Sequence, residues 1–328
     1  MTATGARSPA GASPPPELVA RFKEALQRLL PGGGKIGLAV SGGPDSMAML
    51  LLAQAAIPDA VEVATVDHGL RVEAAKECAL VQRFCELRGI ACALLPVRVD
   101  EGNLQDQARQ ARYAALAGWA EARGLRAVAT AHHADDQAET LLMRLNRGSG
   151  VAGLAGVRER GFLDPPYFER PLIRPLLTFR RSELARVIAA AGVDVAHDPS
   201  NDDDRFDRVR LRKALAHAGW LDPVALTRSA SHLADADDAL EAFATVLRSQ
   251  HVRREGDVLT FYPLAPRIMR FRIIERIIRE LGGDPRGSDV ARLLDSIEAG
   301  TPANLGGVLV TVEGNQWVFR PEPPRRTG

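Results

Sequence analysis

Short apolar runs alternate with longer amphipathic stretches through the first half of the chain. KIGLAV (35–40), VEVATV (61–66), IACALLPV (90–97) and RAVATA (126–131) are short and bounded by Gly, Pro or charged residues, so they read as strands. The stretches between them keep a helical period, over 46–56, 73–88, 104–123 and 135–147. A further helix is expected over 17–30, where PGGG (31–34) ends it, and another near 180–191. Strands alternating with helices of this length build βαβ units and a parallel sheet. The near-continuous apolar strands mean that helices cover both of its faces.

The expected fold class is therefore α/β, a Rossmann-like parallel sheet with helices on both faces. After Arg147 the regularity lapses through RGSGVAGLAGV and the proline-rich DPPYFERPLIRPLL (164–177), and DPSNDDDRFDRVRLRK (198–213) closes the first domain. Beyond it the pattern turns helical, with β-like stretches at 257–262 and 306–319, which predicts a smaller, mainly helical α+β C-terminal domain. The expected division is a disordered tail over 1–16, rich in Ala, Gly, Ser and Pro, a catalytic domain over 17–215 and a second domain over 216–328. In that second domain RIMRFRIIERIIREL (267–281) sets Ile273, Ile274, Ile277, Ile278 and Leu281 on a core face. Arg272, Arg276 and Arg279 form a stripe opposite, either a surface for RNA phosphates or a solvated face beside Glu275 and Glu280.

Composition narrows the classes. No charge-free apolar run reaches the ~18 residues of a membrane span. The net charge of +1 leaves room for a local basic face without predicting one. Cys78, Cys85 and Cys92 form no C-x-x-C pair and no secretory signal precedes them, so a cytoplasmic protein with buried thiols is expected.

Polar clusters follow the carboxyl ends of the predicted strands, where ligands bind open α/β sheets. SGGPDS (41–46) follows the first: two glycines permit a tight turn, the helix start offers free N–H groups, Ser41 and Ser46 can donate to phosphate oxygens, and Asp45 can hold Mg²⁺. It lacks the lysine of a Walker A loop. HHADDQAET (132–140) follows the fourth. Asp136 and Glu139 share a helix face and suit a cationic amine or Mg²⁺, and His132 or His133 can bond phosphate or move a proton; the bland reading is helix capping beside a satisfied His pair.

SGGPDS resembles the PP-loop of the N-type ATP pyrophosphatases, which grip the pyrophosphate of ATP while its α-phosphate is attacked. The stretch 132–157, with Arg147, Gly148, Ser149, Gly150, Gly153, Leu154 and Gly156 following the HHADDQAET segment, is similar to the signature of tRNA(Ile)-lysidine synthetases. VDHGLR (66–71), ARQARY (108–113) and DPSN (198–201) with Arg205, Phe206, Asp207, Arg208 and Arg212 resemble further motifs of that family. Val209 stands where the family usually has Asn, so no polar side-chain contact is expected there.

The resemblance implies an ATP-dependent ligase. The C2 oxygen of the wobble cytidine in a CAU-anticodon tRNA(Ile) attacks the α-phosphate of ATP, and the ε-amine of free L-lysine then displaces AMP to leave lysidine. On this chain it implies Ser41, Gly42, Gly43, Pro44, Asp45 and Ser46 for ATP, with Mg²⁺ on Asp45. Asp136 and Glu139 would take the lysine ammonium groups, with Arg109 and Arg112 beside them. His133 would contact the α-phosphate or move a proton, and Arg205, Arg208 and Arg212 would meet the tRNA. Another PP-loop enzyme, a tRNA thiolase or a small-molecule amide synthetase, is the alternative. A metal-dependent phosphohydrolase would leave SGGPDS unexplained, and a non-catalytic nucleotide-binding module would have no use for Asp45, Asp136 and Glu139 together.

Overall fold

The computed structural model describes residues 13–67, 69, 72–97, 104–163, 170–196, 205 and 207–322. His68, Leu70, Arg71, DPSN (198–201), Phe206 and most of the expected tail lie outside them. Two compact units emerge, Met1–Ala234 and Asp235–Gly328.

In the first unit, α1 (Pro16–Leu29), β1 (Ile36–Ala39), α2 (Pro44–Ala56), β2 (Val61–Asp67), α3 (Val72–Leu87), β3 (Cys92–Pro96), α4 (Leu104–Ala122), β4 (Ala127–Ala129) and α5 (Ala134–Asn146) succeed one another as the apolar periodicity predicts. Then come the single-turn α6 (Val151–Leu154), β5 (Arg160–Phe162), β6 (Pro171–Ile173), α7 (Arg181–Ala191) and α8 (Asp207–His217). The sheet has six strands in the order β3-β2-β1-β4-β6-β5. All neighbours are parallel except β5, which pairs antiparallel with β6 at the edge. The two extra strands were hidden in the irregular stretch after Arg147. Each is three residues long, too short to show a period of two.

Alternation through the sheet explains its two cores. Ile36, Leu38, Val63, Ala127 and Ala129 point into a cluster with Leu18, Phe22 and the α2 side chains. Ala64 and Val128 point the other way, onto Leu116, Trp119 and Leu125. Every residue of α2 from Met47 to Ala53 is buried, so this helix is apolar all round.

The long α9 (Pro223–His251) runs from the first unit into the second. The second unit holds β7 (Val252–Glu255), β8 (Val258–Phe261), α10 (Arg267–Glu280), α11 (Gly287–Glu298), β9 (Ala303–Leu305), β10 (Val308–Glu313) and β11 (Gln316–Pro321). Its antiparallel sheet, in the order β7-β8-β11-β10-β9, packs on α10 and α11 through Ile273, Ile274, Ile277, Leu294 and Phe319. The arginine stripe of α10 is ion-paired along its length. Arg272 is 9% exposed and ion-paired with Asp237 and Glu241. Arg276 pairs with Glu241, and Arg279 with Glu275. Acids of α9 cover most of a face that the helix alone presents as cationic.

Candidate active site

Chain order reverses between β1 and β4: β2 and β3 lie on one side of β1, and β4, β6 and β5 on the other. Loops leaving two strands at such a switch diverge and open a crevice. The 41–46 loop leaves β1, and Thr130 to His133 leave β4.

Gly42 holds φ +86°, and a Cβ there would come within 3.3 Å of the Glu77 carbonyl oxygen. Gly43 caps α2 with no side chain to engage its first N–H groups, and Pro44 follows at the first helical position. The positive end of α2 is thus available to an anion. Ser46 is 6% exposed: its Oγ donates to the Gly43 carbonyl at 2.9 Å and accepts the Ser41 N–H at 3.2 Å. Ser46 therefore shapes the loop, while Ser41 is exposed on the cleft wall. The Asp45 carboxylate also lines the cleft, with its side chain 31% exposed.

His133 caps α5. Its Nδ1 accepts the Asp136 N–H at 3.4 Å, and the Asp136 carboxylate accepts the His133 N–H at 3.2 Å. With Nδ1 accepting, the ring proton sits on Nε2, which lies 3.4 Å from Asp45 and 3.5 Å from Asp136. Burial alone would lower the pKa of this wholly buried imidazole, but the carboxylates of Asp45 and Asp136 beside Nε2 raise it. Burial works to raise the Asp136 carboxyl, yet His133 and Arg208 hold it below the usual carboxylate range.

His132 lies in the opposite setting. It lines the cleft, with Nδ1 3.0 Å from Thr130 Oγ1. Burial, and then the cation of Arg174, bring its pKa down to about 4, so the ring is neutral near pH 7. Arg174, just past β6 and 5% exposed, is one of the residues that sequence reasoning passed over. Arg181 and Thr130, both on the cleft wall, are others, whereas Tyr113, also on that wall, closes the ARQARY motif. Arg174, Arg181 and Thr130 carry no spacing signal, because different elements deliver them.

Glu139 is 1% exposed beneath three arginines. It accepts Arg208 Nε at 2.7 Å and Arg212 Nε at 2.9 Å, with Arg181 3.8 Å away. Arg208 also donates to Asp136 at 2.8 Å. The arginines of α8 are thereby clamped onto α5, and between them Val209 is buried. From α4, Arg109 sits 5.2 Å from the Tyr113 ring, and both Arg109 and Arg112 line the cleft. Arg205 is exposed and lies outside the cleft lining.

The glycine-rich segment after α5 is tied to that helix. Gln137 accepts the Val157 N–H at 2.7 Å and donates to the Val157 carbonyl at 3.2 Å, and Arg144 donates to the Gly153 carbonyl at 2.7 Å. Gly156 holds φ +68°, and any Cβ there would collide with the Gln137 amide.

The resulting cleft has a volume of about 1220 Å³, enough for a nucleotide and a second small molecule. Five arginines (Arg109, Arg112, Arg181, Arg208, Arg212) line it against two carboxylates, Asp45 and Asp136. That excess of positive charge suits a polyphosphate.

A PP-loop domain model matches residues 16–219 of the chain. The chain is 47% identical over 310 residues to the tRNA(Ile)-lysidine synthase of Novosphingobium aromaticivorans, covering 94% of each protein. It is 38% identical over 314 residues to the tRNA(Ile)-lysidine synthase of Zymomonas mobilis, covering 93% of this chain and 94% of that relative. Among solved structures, the U34-tRNA thiolase NcsA from Methanococcus maripaludis superposes with a TM-score of 0.52 at 18% identity, over 66% of this chain and 79% of that one. This last likeness is one of fold.

Proposed function

The chain belongs to the tRNA(Ile)-lysidine synthase family, and from that premise we propose that its cleft joins free lysine to a tRNA cytidine in a reaction driven by ATP. One observation carries the reading. The anion-binding 41–46 loop and the carboxylates of α5 converge on a single arginine-lined cleft in a chain 47% identical over almost its whole length to such an enzyme.

The geometry supports a role for each group. The 41–46 loop and the start of α2 take the β- and γ-phosphates of ATP, which leave as pyrophosphate when the cytidine C2 oxygen attacks the α-phosphorus. Arg109, Arg112 and Arg181 balance the charge that develops there. Asp45 would hold Mg²⁺, which when bound neutralises the departing pyrophosphate. The Asp45 carboxylate, partly exposed on the cleft wall beside the 41–46 loop, fits a magnesium shared between one carboxylate and substrate phosphates. Asp136, open to the cleft, takes a lysine ammonium group. Glu139 acts from below by fixing Arg208 and Arg212. The ε-ammonium must lose a proton before it can attack C2; His132, whose pKa near 4 makes it too weak a base to hold that proton, is a neutral hydrogen-bonding group on the cleft wall. His133, sealed behind Asp45 and Asp136, orients both carboxylates.

The target cytidine is the wobble base of a CAU anticodon, and it must leave its stack to enter the cleft. Arg205, Arg210 and Lys213, exposed along or beside α8, meet phosphates of the same loop. The second unit is a further tRNA-contacting body, by faces other than the paired arginines of α10. We assign the reaction to the cytoplasm, where tRNA is used; no described helix is long and apolar enough to cross a membrane. A thiolase reading has less support, because Cys78 and Cys85 are buried and no cysteine lines the cleft.

Release of AMP and pyrophosphate tests the reading. With Mg-ATP and lysine, release is expected with a CAU-anticodon isoleucine transcript and not with one carrying uridine at the wobble position. Equal release with both, or without RNA, would move the amide-synthetase alternative forward.

A further inference from the structure

Of the three tryptophans, Trp119 and Trp317 are 8% and 5% exposed within the two units' cores, whereas Trp220 is 84% exposed. No other large apolar side chain among the described residues is so open. An indole in water forgoes a large burial gain, and exposed aromatics concentrate where a partner will cover them.

Its surroundings say which partner. Trp220 stands in the turn after α8, set by bonds from the Ala218 N–H to the Leu215 carbonyl and from the Leu221 N–H to the Ala218 carbonyl. Across 205–213 the chain carries Arg205, Arg208, Arg210, Arg212 and Lys213 against one acid, Asp207; Asp136 and Glu139 of α5 take up Arg208 and Arg212, and the other three cations are exposed. The turn is also fixed near the cleft. Asp222 lies 3.5 Å from Arg180, the residue before cleft-lining Arg181. Thr227, further along α9, reaches the carbonyl of Ala134 at the start of α5. An open indole therefore ends a cationic helix whose other end lines the cleft.

We propose that Trp220 is a stacking platform for an unpaired base of the tRNA loop that delivers the target cytidine. The proposal rests on tRNA being the substrate of the cleft. Extruding a base breaks its stacks with both neighbours, and an aromatic face beside the cleft replaces one of them. Arg205, Arg210 and Lys213, exposed along or beside α8, hold the backbone while the indole holds a base, the combination by which proteins grip single-stranded loops. A second copy of this chain would have to bring acidic groups against α8, so RNA is the occupant the charges favour.

Because the other two tryptophans are buried, the iodide-accessible emission of the folded protein belongs to Trp220. Titration with an anticodon stem-loop containing the cytidine, without ATP, is expected to quench that emission and shield it from iodide. Trp220→Ala should weaken stem-loop binding roughly 5- to 100-fold, while Trp220→Phe keeps most of the affinity. The salt slope should stay as in the wild type, since stacking releases no counterions. Unchanged affinity of Trp220→Ala, or undisturbed emission while filter retention shows RNA bound, would overturn the proposal. So would quenching that grows with protein concentration alone, which would assign the indole to self-association. Lysine incorporation by the wild-type protein, measured in parallel on whole tRNA, separates the two readings: incorporation with a silent Trp220 overturns only the stacking platform.

Discussion

His132 and His133 leave β4 side by side and arrive in opposite environments, one facing the cleft near Arg174, the other enclosed by Asp45 and Asp136. Their proton linkage runs in opposite directions. His132 titrates near 4 in the fold against 6.5 in the unfolded chain, so between those values the unfolded chain binds more protons. The stability it contributes is complete above pH 6.5 and is lost as pH falls toward 4, by at most about 3 kcal/mol. His133, with a raised pKa, contributes stability that is complete below 6.5 and fades as pH rises through its folded value. Denaturant melts of His132→Asn are therefore expected to show a flatter decline between pH 6.5 and 4 than wild type; an identical decline would mean that His132 is not held neutral. Glu139→Gln leaves Arg208 and Arg212 without their shared counter-charge. We expect a loss of about 2 kcal/mol, less than the ~3–5 of a fully enclosed pair because Arg208 is 44% exposed, together with a raised KM for lysine. The sequence displayed these side chains but not their assignments. HHADD shows two adjacent imidazoles, and only the extended backbone of His133 at the helix cap decides which one turns inward.

At the scale of elements, the 41–46 loop was legible because the constraint is local: an apolar strand, glycines and an apolar helix in immediate succession. Gly42→Ala should lower the melting temperature by a few degrees and also raise the KM for ATP, since a side chain at φ +86° costs roughly 1–2 kcal/mol in a loop whose purpose is backbone approach to an anion. The tie between α5 and the segment 153–157 was visible only as two motifs in sequence. Their link is Gln137, which satisfies the backbone of Val157 from twenty residues away. Gln137→Ala should cost about 1–3 kcal/mol locally, read as faster amide exchange at Val157 with the sheet amides unchanged. Strands β5 and β6 escaped for a different reason. They are secured by pairing at the sheet edge rather than by any pattern of their own.

Across the whole molecule, the α/β class and the α+β character of the second unit follow from periodicity, but long-range charge pairing does not. The α10 arginines look like a nucleic-acid surface until α9 supplies Asp237 and Glu241, which lie 35 and 31 residues from Arg272 in the chain. Arg272→Ala is accordingly expected to destabilise the second unit by about 3 kcal/mol, because it removes the ion pairs of a nearly buried guanidinium with Asp237 and Glu241. The salt dependence of tRNA affinity should not change, and a shallower slope would return Arg272 to the RNA surface. The central claim is the ligation itself, and it is tested most directly by labelled lysine. Purified protein would be incubated with Mg-ATP, labelled lysine and a CAU-anticodon isoleucine transcript, beside one with uridine at the wobble position, and the digested nucleosides read by mass spectrometry. Label in a modified cytidine of the first transcript alone is the predicted result. Folded, ATP-binding protein that leaves both transcripts unlabelled would contradict the account.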